Sequence, residues 1–557
     1  MKELATLDYL AIGIYLALMA GVGLFFGWFI KDIKGYFKGG STIPWQIGAI
    51  SNFMGLFSTF VFVAYAGVAY ADGIVGVTVL WCTVFPCLLA AFYLGKRWVR
   101  SGIITPVEYL ETRFSPSVRQ VFSWAGLSMR FLDNMVRLYA IGIFLMTATS
   151  LSFTEAVLYS GLIITFFTIV GGVWAVVVMD TLQFIILVFS SLLLIPLVLQ
   201  EVGGLGTLMT QYPDHFNWFN GPKGQPLWLL AYYLMILLKY NGNWVFIQRF
   251  YSVKDESSAK KLGLLSAILF FIFPIVFLLP AIAAKSILPD LADPEMAYVA
   301  VAVKLLPAGL LGLMLAAMFS ATMSSLNSEF NVMSGVLTND IYKRIIRPAA
   351  SDKALVNVAR LNVILIGAVV TLGALYVGQL GGAFEANKLL TALFAIPLAI
   401  PLILGLVYKN TTSKGALITV FLGVALSLWL NFYSGFSWEA STVLVIGFCT
   451  ALFFALGRFK EKDSAKLSMI SGFFDKIRTP LSSASISPPD PKFKRALSTL
   501  FALSIGLSGL LFGGMSLVHI HSVSGKVALF ISILCMVLAL FIKIRFTGKL
   551  SFEPSVK

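Results

Sequence analysis

The sequence predicts an all-α, polytopic membrane protein of about 15 transmembrane spans, on three observations. Of its 557 residues, 58% are hydrophobic and only 12% are charged, with a mean hydropathy of +0.89; a soluble domain carries roughly twice that charged fraction. Apolar runs long enough to cross a hydrocarbon layer, about 20 residues, recur along the whole chain. The basic residues gather in alternate loops instead of spreading evenly.

In chain order the spans read 7–30, 44–71, 75–97, 120–149, 154–178, 180–200, 227–250, 262–284, 297–337, 356–378, 383–407, 414–433, 437–457, 498–517 and 525–544. The first run, Leu7–Ile30, is long enough to span, and MKELATLDYL has little basic character, so this segment reads as a retained helix rather than a cleaved signal. With the N-terminus outside, the inside loops carry KDIKGYFK, GKRWVRSG, QRFYSVKDESSAKK, YKRIIRPAASDK and GRFKEKDSAK, and the tail carries KIRFTGK. The outside loops hold no Arg and at most about one Lys each. The chain is therefore expected to be multi-pass in the cytoplasmic membrane, N-terminus outside and C-terminus inside. The net charge of +15 becomes a topology device, which argues against a nucleic-acid partner. Cys82, Cys87, Cys449 and Cys535 all fall in apolar runs and read as buried thiols, and His215, His519 and His521 read as solvated loop residues.

Two spans are interrupted. Span 2 contains SNFMGLFSTF (Ser51–Phe60), with Gly55 close to Ser58 and Thr59, and span 7 contains LLKYNGNW (Leu237–Trp244), with Gly242 between two asparagines. Small and polar residues at mid-span mark places where a helix unwinds. If span 1 is an addition, spans 2 and 7 each open a block of five. An odd block makes consecutive copies inverted, and paired interruptions of this kind point to a transporter's binding site. This divides the chain into a first span and loop (1–43), a first repeat (44–200), an extracellular loop (201–226), a second repeat (227–410), two further spans (411–457), a flexible linker with SSASISPPDP (458–497), and two peripheral spans with the tail (498–557).

Within span 9, FSATMSSLNSEFNV (Phe319–Val332) has eight polar residues in fourteen. Ser324 and Ser328 share a helix face with Ser325 beside them, and no residue from Ser320 to Ser328 is charged. Neutral oxygens of this kind suit a hard cation such as Na⁺; they equally suit helix–helix packing. Glu329 is expected to pair with an inside-loop cation. Asp180, in GGVWAVVVMDTLQF, lies either inside the membrane, where a carboxylate is functional, or at the inner interface, capping the next helix with Thr181. Lys239 falls near mid-depth and calls for a partner or a substrate; alternatively it snorkels. Arg137, also within a span, has Asp133 four residues earlier as an internal partner. If both cations face one cavity, the ligand is an anion.

These features resemble the sodium/solute symporter family, which includes sodium/glucose, sodium/proline and sodium/sialic acid cotransporters. The resemblance runs from Tyr9 to Gly457 and rests on GYFKGGSTIPWQIGAIS (Gly35–Ser51), AYADG (Ala69–Gly73), ITPVEYLETRF (Ile104–Phe114), GGVWAVVVMDTLQ (Gly171–Gln183), IQRFYSVKDESSAKKLG (Ile247–Gly263) and AAMFSATMSSLNSEFNVMSGVLTNDIYKR (Ala316–Arg344). It implies a leucine-transporter-type fold, with inverted five-helix repeats in spans 2–6 and 7–11. It also implies a sodium site made by the carbonyls of Met54, Phe57 and Ala321 and the hydroxyls of Ser324 and Ser325. A second sodium site, found in some members, would fall on Asp180, Ser324, Asn327 and Ser328, with Asn327 standing where a serine is expected. The positions of sugar contacts hold Leu56, Val61 and Leu80, and the aromatic gate matches Lys239, with Tyr240 next to it. Arg137 is similar to the arginine that holds the carboxylate in a sialic acid transporter, and Ser58 to a substrate-contacting hydroxyl there. Ser58, Thr59, Arg137, Lys239 and Tyr240 are thus the candidate solute residues. The expected function is sodium-coupled import of a small organic anion by alternating access. Sodium is the coupling ion and the bilayer the surroundings, with no enzymatic step and no organic cofactor. A neutral solute, with Lys239 and Arg137 as structural ions, or a transporter-like sensor without flux are the alternatives.

Overall fold

The structure is a computed structural model that describes residues 4–27, 43–170, 173–380, 382–459, 461–481 and 491–547. Its principal helices are α1 (Thr6–Gly27), α2a (Trp45–Leu56) and α2b (Val61–Asp72), α3 (Val75–Ser101), α4 (Pro116–Ala148), α5 (Phe153–Val170), α6 (Val173–Glu201), α7a (Pro226–Asn241) and α7b (Trp244–Tyr251), α8 (Glu256–Ile287), α9 (Leu310–Ile346), α10 (Asp352–Ala374), α11 (Ala383–Leu404), α12 (Ser413–Phe432), α13 (Trp438–Leu456), α14 (Pro491–Val518) and α15 (Val523–Thr547). Among the described residues, eleven helices are long and apolar enough to cross a membrane, or up to twelve if the bent pair α2a–α2b is one span. A figure of about fifteen further counts α1, α5 and the split α7.

Both predicted interruptions are breaks. Phe57 leaves the helix in an extended conformation (φ −91°, ψ 130°), and α2a and α2b meet at a bend of 62°. Gly242 closes α7a, and Asn243, extended at φ −75° and ψ 129°, accepts from the Phe246 amide at 3.0 Å to cap α7b. Around these breaks, α9 is the axis of the bundle. Every residue from Leu310 to Val336 is buried, against α1, α2a, α4, α6 and α10. A helix buried all round needs its polar atoms paired inside the protein, so its serines require partners. At the edge of the bundle, α14 and α15 pack on one another, and both reach α6.

Two expectations are corrected here. The linker read over 458–497 contains an α-helix, Ser464–Arg478, which buries Ile470, Phe473, Phe474 and Ile477 on one face. Lys476 ties this helix to the Ser101 carbonyl at 2.7 Å, and Arg100 donates to the Ile477 and Arg478 carbonyls; residues 482–490 lie outside the described residues. The boundary expected at 178–180 falls instead between Val170 and Val173, so Asp180 lies about two turns inside α6. Unbroken apolar sequence gave no periodic signal to place it, and the Gly171–Gly172 pair is the nearer helix-breaking composition. The four cysteines are free and buried, as expected. His215 is buried rather than solvated, at 9% exposure.

Candidate functional site

The break in α2 is pinned to α9 by Thr59, whose amide donates to Thr322 Oγ1 at 2.7 Å and whose hydroxyl donates to the Met318 carbonyl at 2.6 Å. This holds the end of α2a against the middle of α9. The last carbonyls of a helix have no amide of a following turn to bind, so they are available to a cation. Ser324 and Ser325 are buried at 1% and 0% exposure. Ser324 Oγ donates to Asp180 Oδ1 at 2.6 Å and Ser325 Oγ donates to the Thr322 carbonyl at 3.0 Å. Each hydroxyl gives away its proton and keeps its lone pairs, as a metal ligand must. The two hydroxyls thus have the chemistry a cation ligand needs. Thr59 is a tie between α2 and α9.

Asp180 is fully buried, which overturns the interfacial, helix-capping reading of it. Besides Ser324, it accepts from Ser51 Oγ and forms an ion pair with Arg249 at 3.6 Å. Arg249 also donates to Ser51 (2.9 Å), Gln248 (2.8 Å) and Ser328 (2.7 Å). The sequence placed Arg249 in an inside loop; it lies in α7b with 1% exposure. Asn327 Oδ1 accepts from the Thr168 hydroxyl of α5 at 2.6 Å.

A second buried network lies between α4, α7, α9 and α11. Asp133 accepts from Lys239 (3.0 Å), Arg137 (3.1 Å) and Asn387 (2.8 Å). Lys239 also donates to Asn387 Oδ1 and Thr391 Oγ1, each at 3.0 Å. The two predicted cations are thus brought together on one carboxylate. Glu329 pairs with Arg130 of α4 at 2.8 Å, not with an inside-loop cation, and accepts from Asn243 at 3.1 Å. In all, Arg130, Arg137 and Lys239 face Asp133 and Glu329, a surplus of one positive charge. Arg130, Asn387, Thr391 and Arg249 were not singled out from sequence.

Arg130, Asp133 and Lys239 border a small cleft, completed by Phe122, Trp244 and Leu402 among others. Apart from the cleft, stacked rings from four helices seal one end of the bundle. The Tyr65 and Tyr232 hydroxyls lie 2.8 Å apart, Trp228 stacks on Tyr232 at 4.9 Å, and Phe384 and Trp438 pack around them. Ser58 accepts from the Phe60 amide at 3.3 Å, and Tyr240 packs on Phe246 and Phe270. Of the five candidate solute residues, only Lys239 lines the cleft.

The model of the sodium:solute symporter family matches residues 36–423. The chain belongs to the sodium:solute symporter family. The sodium/glucose cotransporter of Vibrio parahaemolyticus is 28% identical over 470 residues, covering 77% of this chain and 86% of that protein. The sodium/myo-inositol cotransporter 2 of Oryctolagus cuniculus is 29% identical over 472 residues, covering 76% and 69%. A solved, outward-open structure of a Na⁺-coupled sialic acid symporter superposes with a TM-score of 0.75 at 21% identity, covering 83% of this chain and 99% of that one. The symporter is thus a multi-pass membrane protein of leucine-transporter-type fold. It performs sodium-coupled symport of a solute, and it is not an enzyme.

Proposed function

We propose that this symporter imports a small organic anion carrying one negative charge, a carboxylate, together with Na⁺. The observation that carries this reading is the surplus positive charge of the buried network, which reaches the cleft through Arg130 and Lys239. A buried unpaired charge is costly, and an incoming carboxylate would neutralise it. In this reading Lys239 turns from Asn387 and Thr391 to the carboxylate, with Arg137 held behind it on Asp133. Leu56, Val61 and Leu80, all buried and apolar, stand where the family resemblance implies sugar contacts, which disfavours a sugar.

Sodium would occupy the oxygens of Met54, Phe57, Ala321, Ser324 and Ser325. Because Phe57 stands at the α2 break and the serines stand on α9, the ion would hold the two together and favour the state that exposes the solute site outward. Closure of Tyr65, Tyr232, Trp228 and Phe384 over the loaded site, as in the structure described, would then leave the cleft as the exit. The inverted repeats 44–200 and 227–410 would supply the two moving parts, in the cytoplasmic membrane with the N-terminus outside and the C-terminus inside.

One observation favours a neutral solute instead. Lys239 already has three partners, as a purely structural lysine would. Lys239→Gln separates the two readings. With the protein folded and its sodium response intact, loss of binding of every carboxylate in a panel supports the anion. Unchanged binding of a sugar or polyol would establish the neutral solute.

A further inference from the structure

We infer that Arg249 is a built-in cation standing where the family resemblance implies a second sodium ion, so that the symporter binds one Na⁺ per cycle. The inference rests on the sodium-site reading above and concerns what lies beside that site. The four side chains implied for a second ion are Asp180, Ser324, Asn327 and Ser328, and the structure tests whether they fit one.

They do not. Asp180 Oδ1 accepts from Ser324, and Oδ2 accepts from Ser51 and faces the Arg249 guanidinium at 3.6 Å. Ser328 Oγ accepts from Arg249 Nη2 at 2.7 Å, and Asn327 Oδ1 is turned away to Thr168 at 2.6 Å. A guanidinium has five N–H donors and no lone pair, so it takes a cation's place among oxygens and cannot share it. Arg249 and Asp180 are both buried, at 1% and 0% exposure, and together they are neutral. A sodium ion added between them would leave a buried positive charge without a counter-ion. Arg249 also pairs with Asp180, which accepts from Ser324 and so leaves the Ser324 lone pairs free for the remaining sodium site. It is a positioning residue for that site as well as a substitute ion.

The decisive measurement is the number of sodium ions bound at saturation by the purified full-length protein, counted with radioactive sodium. One ion per protein, weakened by Ser325→Ala, is expected. Two ions per protein would overturn the inference while leaving the first site standing. No bound sodium would overturn the sodium-site reading and this inference with it. In Arg249→Met, Asp180 and Ser328 are released, and the count is expected to rise to two. A folded Arg249→Met that still binds one ion would show that Arg249 does not stand in for sodium. Arg249→Lys keeps the charge and is expected to keep a count of one. If the methionine variant does not fold, the wild-type count still decides.

Discussion

Replacing Ser325 by alanine removes a proposed sodium ligand with little other disturbance. The Ser325 hydroxyl donates to the Thr322 carbonyl three residues back, on the same helix. Ser324, by contrast, donates to a buried carboxylate, and its loss would orphan Asp180. Without sodium, Ser325→Ala should therefore change stability by no more than about 1 kcal/mol, the net worth of one neutral hydrogen bond. Removing one of five oxygens from the ion should weaken sodium binding by about tenfold, or about 1.4 kcal/mol. At a sodium concentration about 100 times the wild-type dissociation constant, the wild type gains about 2.7 kcal/mol. The variant, then at about ten times its own constant, gains about 1.4 kcal/mol by the same relation. The assay is thermal unfolding of the purified protein over a sodium series, with potassium holding ionic strength constant. Identical sodium midpoints for the variant and the wild type would refute the placement of Na⁺ on Ser325. A variant already unstable in potassium would show that the hydroxyl is a packing group.

Three further outcomes follow from the geometry. Glu329→Gln leaves Arg130 buried without its counter-ion, and should destabilise the protein by about 3–5 kcal/mol in chemical or thermal unfolding; a change below about 1 kcal/mol would mean that the pair is not desolvated. Glu295, between α8 and α9, accepts from the Ala383 and Phe384 amides at the sealed end, and burial raises its carboxyl pKa, with Asp293 and Glu385 pushing the same way. The sealed state thus holds the proton more tightly than an open one, a preference present at low pH and lost as pH rises through the raised pKa. Uptake should slow on acidification, and Glu295→Gln should abolish that dependence; an unaltered pH profile in the variant would remove Glu295 from the seal. Finally, one Na⁺ with one monovalent anion carries no net charge, so uptake should draw no current at a clamped membrane potential, and a sodium-dependent inward current would contradict that pairing.

The helices were legible because crossing a bilayer demands about 20 apolar residues, and the breaks in α2 and α7 because Gly55 and Asn241–Asn243 interrupt such runs. The polar face of α9 was legible as a candidate ion site because hydroxyls recur at helical spacing without charge. What failed was long-range pairing. Glu329 meets Arg130, 199 residues away, and Lys239 meets Thr391, 152 residues away; spacing within one helix carries no trace of either. Arg249 was read as a loop residue because IQRFYSVKD merges a buried helix end with a basic turn. The helix Ser464–Arg478 was missed although Ile470, Phe473, Phe474 and Ile477 repeat at i, i+3, i+4 and i+7, because the SSASISPPDP that follows it dominated the reading.

The central claim is coupled movement of Na⁺ and an organic monoanion. It is tested most directly by reconstituting the purified protein in liposomes and following a panel of labelled monocarboxylates, sugars and polyols under an imposed inward sodium gradient. The account predicts that a monocarboxylate accumulates above its external concentration with sodium outside, that potassium does not replace sodium, and that Lys239→Gln abolishes the accumulation. Sodium-driven accumulation of a sugar or polyol, with the monocarboxylates left outside, would contradict it.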